Sequence, residues 1–316
     1  MDWKPTTSQK TRQLRAEMLY QVRDFFYQRK VLEVETPALS QAGNTDPYIE
    51  SIQSANHTRY LHTSPEYPMK RLLAAGSGDI YQICKVWRED EAGRNHNPEF
   101  TLLEWYRINF DVPTLIQEVS DLLHTLLPTI TQKDKTIPYQ QLFLEKFNFN
   151  PHIANIDTLR SCVKNSIPNC STSNLDRQAL LDALLTHCIE PDFSNKHFTF
   201  ITDYPASQSA LAKIRKEKGK PDVAMRFEVY LGQSELGNGY QEETSYQRNK
   251  DILNTENAQR LKAGKKEVTQ DDHFLSAAKS GIPESAGVAI GLDRILMLKA
   301  DVDSIQKVIN FPWDVA

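Results

Sequence analysis

Two segments rich in aromatic and β-branched residues, 79–88 and 99–107, enclose the polar run EDEAGRNHNP. This pattern predicts two antiparallel strands joined by a loop. Hairpin loops usually take about two to five residues, and markedly longer loops tend to bind or gate something. The loop is therefore the first candidate for function.

The residues that frame this loop suit a nucleotide. Arg88 ends the first predicted strand, while His96, Glu99 and Phe100 bracket the second. An arginine fork matches a phosphate, an aromatic ring stacks on a base, and a carboxylate accepts a proton from an exocyclic amine. The set favours ATP as the ligand.

Apolar spacing predicts an amphipathic helix over residues 11–30, because Leu14, Met18 and Val22 recur every three to four positions. The segment VLEVETPALS after it is predicted to be extended. Pro37 halts that segment, since its ring removes an amide donor and restricts the residue before it. The proline is explained as a simple strand stop.

A second helix is predicted in HTSPEYPMKRLLAAGSG. Ser64 can cap it, Pro65 fits the first helical position, and Gly76 can end it. Glu66 then lies in the first turn, where the helix dipole alone accounts for an acid. A ligand-binding role for Glu66 stays open beside that structural one.

Residues 113–190 form a predicted helical tract, and strand character returns in HFTFITDYPASQ. In the segment RFEVYLGQSELGNGYQEET, the alternating residues Phe227, Val229 and Leu231 predict a strand, and the Gly-Asn-Gly that comes after them predicts a turn. Glu235 and Glu242 flank this turn, so the two carboxylates could converge and hold Mg²⁺. Two solvated surface glutamates are the alternative.

Near the carboxyl end, GVAIG is predicted to be a buried strand and LDRILMLKA a helix, which places Arg294 in the first helical turn. A cation there opposes the helix dipole. An anionic ligand at Arg294 is the more attractive explanation.

Composition bounds these interpretations. The chain has 316 residues, 40% of them hydrophobic, and can bury a large core. It has no apolar run long enough to cross a bilayer and no signal-peptide pattern, so we expect a cytoplasmic protein. Its four cysteines form no CxxC pair, which favours buried free thiols over disulfides or zinc. The net charge of −4 argues against a broad nucleic-acid footprint.

On these residues the chain resembles the catalytic domain of the class II aminoacyl-tRNA synthetases of the lysyl type. Residues 25–37, 85–106 and 287–298 resemble motifs 1, 2 and 3, and TSPE, HNPEFT and ELGNG match the lysyl branch. The resemblance covers residues 14–312. It implies an α+β fold with an antiparallel sheet flanked by helices, a homodimer, and ATP bound with Mg²⁺.

The resemblance also implies roles for particular residues. Arg88 and Arg294 would be catalytic, and Glu235 and Glu242 would bind the metal. The amino-acid substrate would contact Ser64, Pro65, Glu66, Glu104, Tyr106, Glu242 and Ala289. ATP would contact Arg88, Glu89, Asp90, His96, Asn97, Phe100, Glu235, Leu236, Gly291 and Arg294.

Three departures from the lysyl pattern refine the expectation. The chain begins shortly before motif 1, so we expect one catalytic domain over residues 1–316, without an anticodon-binding domain. Ala289 replaces the middle glycine of motif 3, and Asp90 stands where motif 2 usually has glutamate.

In the first two departures the chain resembles the stand-alone paralogues that attach (R)-β-lysine to a lysine of elongation factor P. We therefore expect elongation factor P as the partner and no stable tRNA binding. A minimal lysyl-tRNA synthetase and another amino-acid ligase of this fold remain alternatives.

Overall fold

The computed structural model describes residues 3–89 and 91–316. The helices, in chain order, are α1 Gln9–Gln28, α2 Glu66–Ala74, α3 Val112–Leu126, α4 Tyr139–Phe147, α5 Ile156–Ser166, α6 Arg177–Leu184, α7 Tyr246–Lys262, α8 Asp272–Ser280 and α9 Leu292–Ala300. The strands are β1 Leu32–Glu33, β2 Leu39–Ser40, β3 Tyr60–Leu61, β4 Ile80–Trp87, β5 Glu99–Ile108, β6 Lys135–Pro138, β7 Thr199–Pro205, β8 Ile214–Arg215, β9 Val223–Leu231, β10 Ser234–Gln241 and β11 Ser285–Gly291.

The chain divides into two compact units, one made of the residues up to Pro128 together with Glu242–Ala316, the other of Thr129–Gln241. In the first unit, β4 and β5 pair antiparallel, β11 pairs antiparallel with β5, and β1 pairs parallel with β4. The predicted hairpin of residues 79–107 is confirmed, and so is its long loop.

Helix α1 covers one face of this sheet, because its apolar stripe packs on aromatic residues of the strands. Phe26 is fully buried and stacks on Tyr81 with ring centroids 4.4 Å apart, and its edge meets Trp105 at 5.2 Å. The predicted amphipathic helix is thus confirmed. A small core of Met69, Leu73, Ile80 and Tyr106 joins α2 to β4 and β5.

In the second unit β9 pairs antiparallel with β7, β8 and β10, and β6 pairs parallel with β7. Helices α4, α5 and α6 and the π-helix Leu185–Ile189 supply buried apolar side chains to its core. The predicted helical tract therefore also contains a strand, β6. Its four residues are too few to show a periodic pattern.

Two local predictions need correction. Helix α2 begins at Glu66, with Pro65 as its N-cap, so the predicted start is shifted by one residue. The predicted turn at Gly237–Gly239 is wrong, because these residues continue β10. The chain reverses earlier, at Gly232, whose φ of +54° is a conformation that glycine adopts without a steric penalty.

Candidate active site

An acidic pocket lies in the first unit, where α2 meets β5 and residue 242. Helix α2 places Glu66 and Lys70 one turn apart, and the Lys70 ammonium donates to Glu66 Oε1 at 2.7 Å. The same ammonium lies 2.5 Å from Glu242 Oε2. Lys70 is fully buried and Glu242 is 1% exposed. Two predicted substrate residues are therefore held by a lysine that the sequence did not single out.

Glu104 is the third buried carboxyl group of this pocket. Ser64 donates its hydroxyl to Glu104 Oε2 at 2.7 Å, and Tyr106 donates to Glu104 Oε1 at 2.6 Å. Burial, followed by the nearby charge of Glu66, raises the pKa of Glu104 to about 8. With this pKa, Glu104 is mostly protonated at neutral pH.

The pair of Lys70 and Glu242 behaves differently. Burial alone would lower the pKa of Lys70, but the Glu242 and Glu66 carboxylates outweigh burial and raise it. Burial also raises the pKa of Glu242, and the Lys70 ammonium opposes that rise. An ammonium at ion-pair distance favours the charged form of both partners.

Strand β11 closes this pocket with a glycine. A Cβ atom on Gly287 would lie 2.4 Å from two ring carbons of Tyr106 and 2.6 Å from Glu242 Oε1. Ala289, two residues further, is the register partner of Glu104 on β5. The need for glycine at position 287 was missed, although a glycine inside a strand pattern signals a close approach.

The predicted phosphate-binding side chains lie around the loop between β4 and β5. The Arg88 guanidinium is 5.1 Å from the centroid of the Phe100 ring and forms an ion pair with Glu91 at 3.2 Å. Arg294, in the first turn of α9, approaches His96 Nε2 at 2.7 Å. Burial, and then the charge of Arg294, lowers the pKa of His96. Arg88 thus lies beside Phe100, and Arg294 lies beside His96; all four are predicted ATP contacts.

Three other predicted ATP contacts, Asn97, Gly291 and Glu89, take part in hydrogen bonds or helix capping within the protein. Asn97 is buried, donates to the Glu99 carbonyl at 2.6 Å and accepts from the Trp313 amide at 3.0 Å. Gly291 is the N-cap of α9. Glu89 is exposed and its amide donates to the Glu50 carbonyl. Asp90 lies outside the described residues.

Asp293, next to Arg294, joins three elements of the first unit. Its Oδ2 accepts the Thr101 amide of β5 at 2.6 Å, and its Oδ1 accepts a guanidinium N–H from Arg15 on α1. Its side chain is 2% exposed. The carboxylate therefore fixes the first turn of α9, and with it the position of Arg294.

The second unit holds the predicted residues Glu235 and Leu236 at the start of β10. Leu236 is buried. On the neighbouring strand Glu228 accepts hydroxyl hydrogen bonds from Tyr204 and Tyr230 at 2.6 and 2.7 Å. The predicted turn between Glu235 and Glu242 is wrong, because residues 234–241 form β10. The metal-binding role of the two carboxylates stays a prediction.

The four cysteines are free, as predicted, but they are half-buried and not buried. Within residues 3–89 and 91–316, none of the helices combines the length and apolar character needed to cross a membrane. No cluster of three or more His, Cys, Asp or Glu residues in that part of the chain is arranged to hold a metal ion.

A family model described as tRNA synthetases class II (D, K and N) matches residues 1–315. The chain belongs to the class II tRNA synthetase family. This class II synthetase is 42% identical over 320 residues to a protein of Proteus mirabilis (strain HI4320), covering 98% of this chain and 97% of the relative. It is 41% identical over 324 residues to one of Vibrio vulnificus (strain YJ016), covering 100% and 99%.

Another relative, from Photobacterium profundum, is 39% identical to the class II synthetase over 323 residues, covering 99% of each chain. All three relatives carry the name elongation factor P–(R)-β-lysine ligase. The predicted fold class and the resemblance to this stand-alone branch are confirmed. The roles of the individual site residues stay predictions.

Proposed function

We propose that this class II synthetase is an ATP-dependent ligase that activates (R)-β-lysine and transfers it to a lysine side chain of elongation factor P. The observation that carries the proposal is the acidic pocket, where three buried or half-buried carboxyl groups, Glu66, Glu104 and Glu242, face one another. Buried acids in this number suit a substrate with two ammonium groups. The names of the relatives support the same substrate.

In the activation step, an oxygen of the substrate carboxylate attacks the α-phosphorus of ATP, and pyrophosphate leaves. The product is an aminoacyl-adenylate. Arg88 would hold the carboxylate and the α-phosphate, Arg294 the terminal phosphate, and Phe100 would stack on adenine. Fixed charges at these positions stabilise the negative charge that spreads over the transferring phosphate.

In the transfer step, the neutral side-chain amine of the acceptor lysine attacks the acyl carbon of the adenylate. AMP leaves with the electron pair of the broken C–O bond, and the nitrogen loses a proton as the amide forms. The Lys70 ammonium is not a competitor in this step, because it stays paired with two carboxylates.

Mg²⁺ would accompany ATP, and the oxygen donors of Glu235 suit this hard cation. Glu235 and Glu228 both add, after burial, to the rise of the pKa of Glu190 to about 7, so these acids lie near one another in the second unit. Glu242 fits a metal less well, because the Lys70 ammonium occupies it. When bound, the ion supplies positive charge beside the phosphates.

Glu235→Gln should raise the Mg²⁺ concentration needed for activity, whereas an unchanged titration would remove Glu235 from the metal site.

We propose a homodimer formed through the motif 1 segment, and a cytoplasmic reaction, because the acceptor is a translation factor. The net charge of −4 supports weak tRNA binding, since phosphate contacts by cations supply much of nucleic-acid affinity.

The deciding experiment incubates the enzyme, ATP, Mg²⁺ and (R)-β-lysine with either elongation factor P or lysine tRNA. Mass spectrometry should show an addition of one lysyl unit to the protein, and the addition should survive mild base because it is an amide. Elongation factor P whose acceptor lysine is replaced by arginine is the control. Strong tRNA charging with unmodified protein would instead assign a minimal lysyl-tRNA synthetase.

The phosphate-binding roles have a separate test, amino-acid-dependent exchange of pyrophosphate into ATP. Arg88→Ala and Arg294→Ala should each lower the exchange rate by roughly 10²- to 10³-fold, the usual cost of one lost contact to a charged transition state. Arg94→Ala is the matched control, because this exposed arginine of the same loop pairs with Asp303. A folded Arg88 or Arg294 variant with normal exchange would exclude that residue from the mechanism.

A further inference from the structure

Lys70 is a buried cation that the proposed reaction does not yet use. It projects from α2 between Glu66 and Glu242, and its ammonium is also 5.9 Å from the centroid of the Phe274 ring. A lysine on an amphipathic helix ordinarily reaches solvent with its charged end. Lys70 instead has no exposed surface. Its charge therefore acts on the pocket itself.

The charges of the pocket can be counted. Two ammonium groups of a bound substrate would favour the ionised form of Glu104. Glu66, Glu104 and Glu242 then carry three negative charges, and Lys70 carries one positive charge. Two negative charges remain. A lysine-like substrate brings two ammonium groups, so the pocket and the amine end of the substrate are matched only when Lys70 is counted.

The Lys70 ammonium contacts one oxygen of each of the two carboxylates. The side chain of Glu66 is 23% exposed, and Lys70 uses only its Oε1. The ammonium likewise contacts Glu242 through Oε2. Lys70 thus fixes one oxygen of each acid, and the other oxygen of each is left to accept from the substrate.

We propose that Lys70 is a positioning residue, an internal ammonium that fixes Glu66 and Glu242 as acceptors and tunes the pocket charge to a substrate with two ammonium groups. The inference rests on the proposed function, since it assumes that these acids receive the amines of the substrate. Lys70 itself does not touch the reacting atoms.

Lys70→Met tests the charge while keeping an apolar chain of similar length. The two carboxylates then lose their shared cation, and the KM for the amino acid should rise roughly 10- to 100-fold, the range expected for a lost charged hydrogen bond. The KM for ATP should stay within about twofold, because neither carboxylate is among the predicted ATP contacts. If Lys70 were only structural, its replacement would not raise the KM for the amino acid more than the KM for ATP.

Lys299→Met is the matched control. Lys299 is a part-buried lysine of the same unit that donates to Gln21 and to the Leu126 carbonyl, away from the acidic pocket. Its loss should lower the melting temperature without changing the KM for the amino acid. Equal effects of the two variants on this KM would overturn the inference.

Chemical rescue gives a second, independent test. Lys70→Ala removes three carbons and the ammonium, which n-propylammonium can replace. This cation should restore exchange activity and raise the melting temperature of Lys70→Ala, while 1-propanol should do neither. The melting temperature remains informative even if the variant is inactive. Equal effects of n-propylammonium and 1-propanol would show that shape, not charge, matters at this position.

The wild-type enzyme separates the two levels of the argument. If it supports pyrophosphate exchange with no isomer of lysine, the proposed function fails. If it activates a lysine isomer but Lys70→Met leaves the KM for that isomer unchanged, only the role of Lys70 fails.

Discussion

Burial gives the carboxyl group of Glu104 properties that an exposed glutamate lacks. Its two oxygens accept hydrogen bonds from Ser64 and Tyr106, while Glu66 and Glu242 add negative charge nearby. The pKa rises from the ordinary 4.5 to about 8. Between these two pH values the folded protein holds a proton that the unfolded chain has released.

This difference sets the sign of a pH effect on stability. Because the folded state binds the extra proton, Glu104 contributes most to the free energy of unfolding below pH 4.5, and its contribution falls as the pH rises to about 8. Glu104→Gln cannot ionise. The variant should therefore gain melting temperature relative to wild type as the pH rises through that window.

Differential scanning fluorimetry between about pH 5 and pH 9 measures the effect. Glu145→Gln, which removes an exposed acid of α4 that accepts from Gln141, is the control for the loss of one carboxyl group. A parallel pair of curves for wild type and Glu104→Gln would mean that Glu104 is ionised throughout.

Strand β11 shapes the pocket because Gly287 and Ala289 have small side chains or none. Gly287 lets the Tyr106 ring and the Glu242 carboxylate approach the backbone, and both of these side chains are buried. Gly287→Ala should cost about 1–3 kcal/mol of stability, as overpacking does, and should raise the KM for the amino acid.

Ala289→Gly, in contrast, should improve the use of α-lysine relative to β-lysine, because it removes a methyl group opposite Glu104.

Pyrophosphate exchange with both lysine isomers measures both strand variants. Gly93→Ala is the control, since a Cβ atom there would meet open space. If Gly287→Ala keeps the wild-type KM, the pocket relaxes around the added methyl group. If Ala289→Gly leaves the ratio between the isomers unchanged, Ala289 does not set the preference.

Patterns that depend on neighbouring residues were predictable from the sequence. The β4–β5 hairpin and the order of β11 and α9 follow from local periodicity and were predicted correctly. The turn at residues 237–239 was not, because glycine marks both turns and close approaches of a strand. Lys70 was missed for a different reason: its partner Glu242 is distant in sequence, and only the fold brings them together.

Large apolar side chains stand exposed on the motif 1 segment and on the part of α1 that precedes it. Tyr20 and Tyr27 of α1 are 69% and 77% exposed, and Leu32 of β1 is 56% exposed. Such side chains mark protein interfaces when they cluster. They support the proposed homodimer.

Light scattering after size-exclusion chromatography should give the mass of a dimer for the wild type. Tyr27→Glu combined with Leu32→Glu should give monomers, because the substitutions bury two charges in the interface. Ile153→Glu is the control, since Ile153 is also exposed, at 73%, but lies in the second unit. A monomeric wild type would contradict the proposal.

The contacts of Asp293 have a consequence for how the protein folds during synthesis. This carboxylate binds Thr101 and Arg15, which precede it by 192 and 278 residues. Contacts of such separation form late, because the intervening chain must first be ordered. The elements that carry Arg88 and Arg294 can therefore be locked together only after α9 has left the ribosome. Until then, a nascent chain exposes the partners of Asp293 without the acid that joins them.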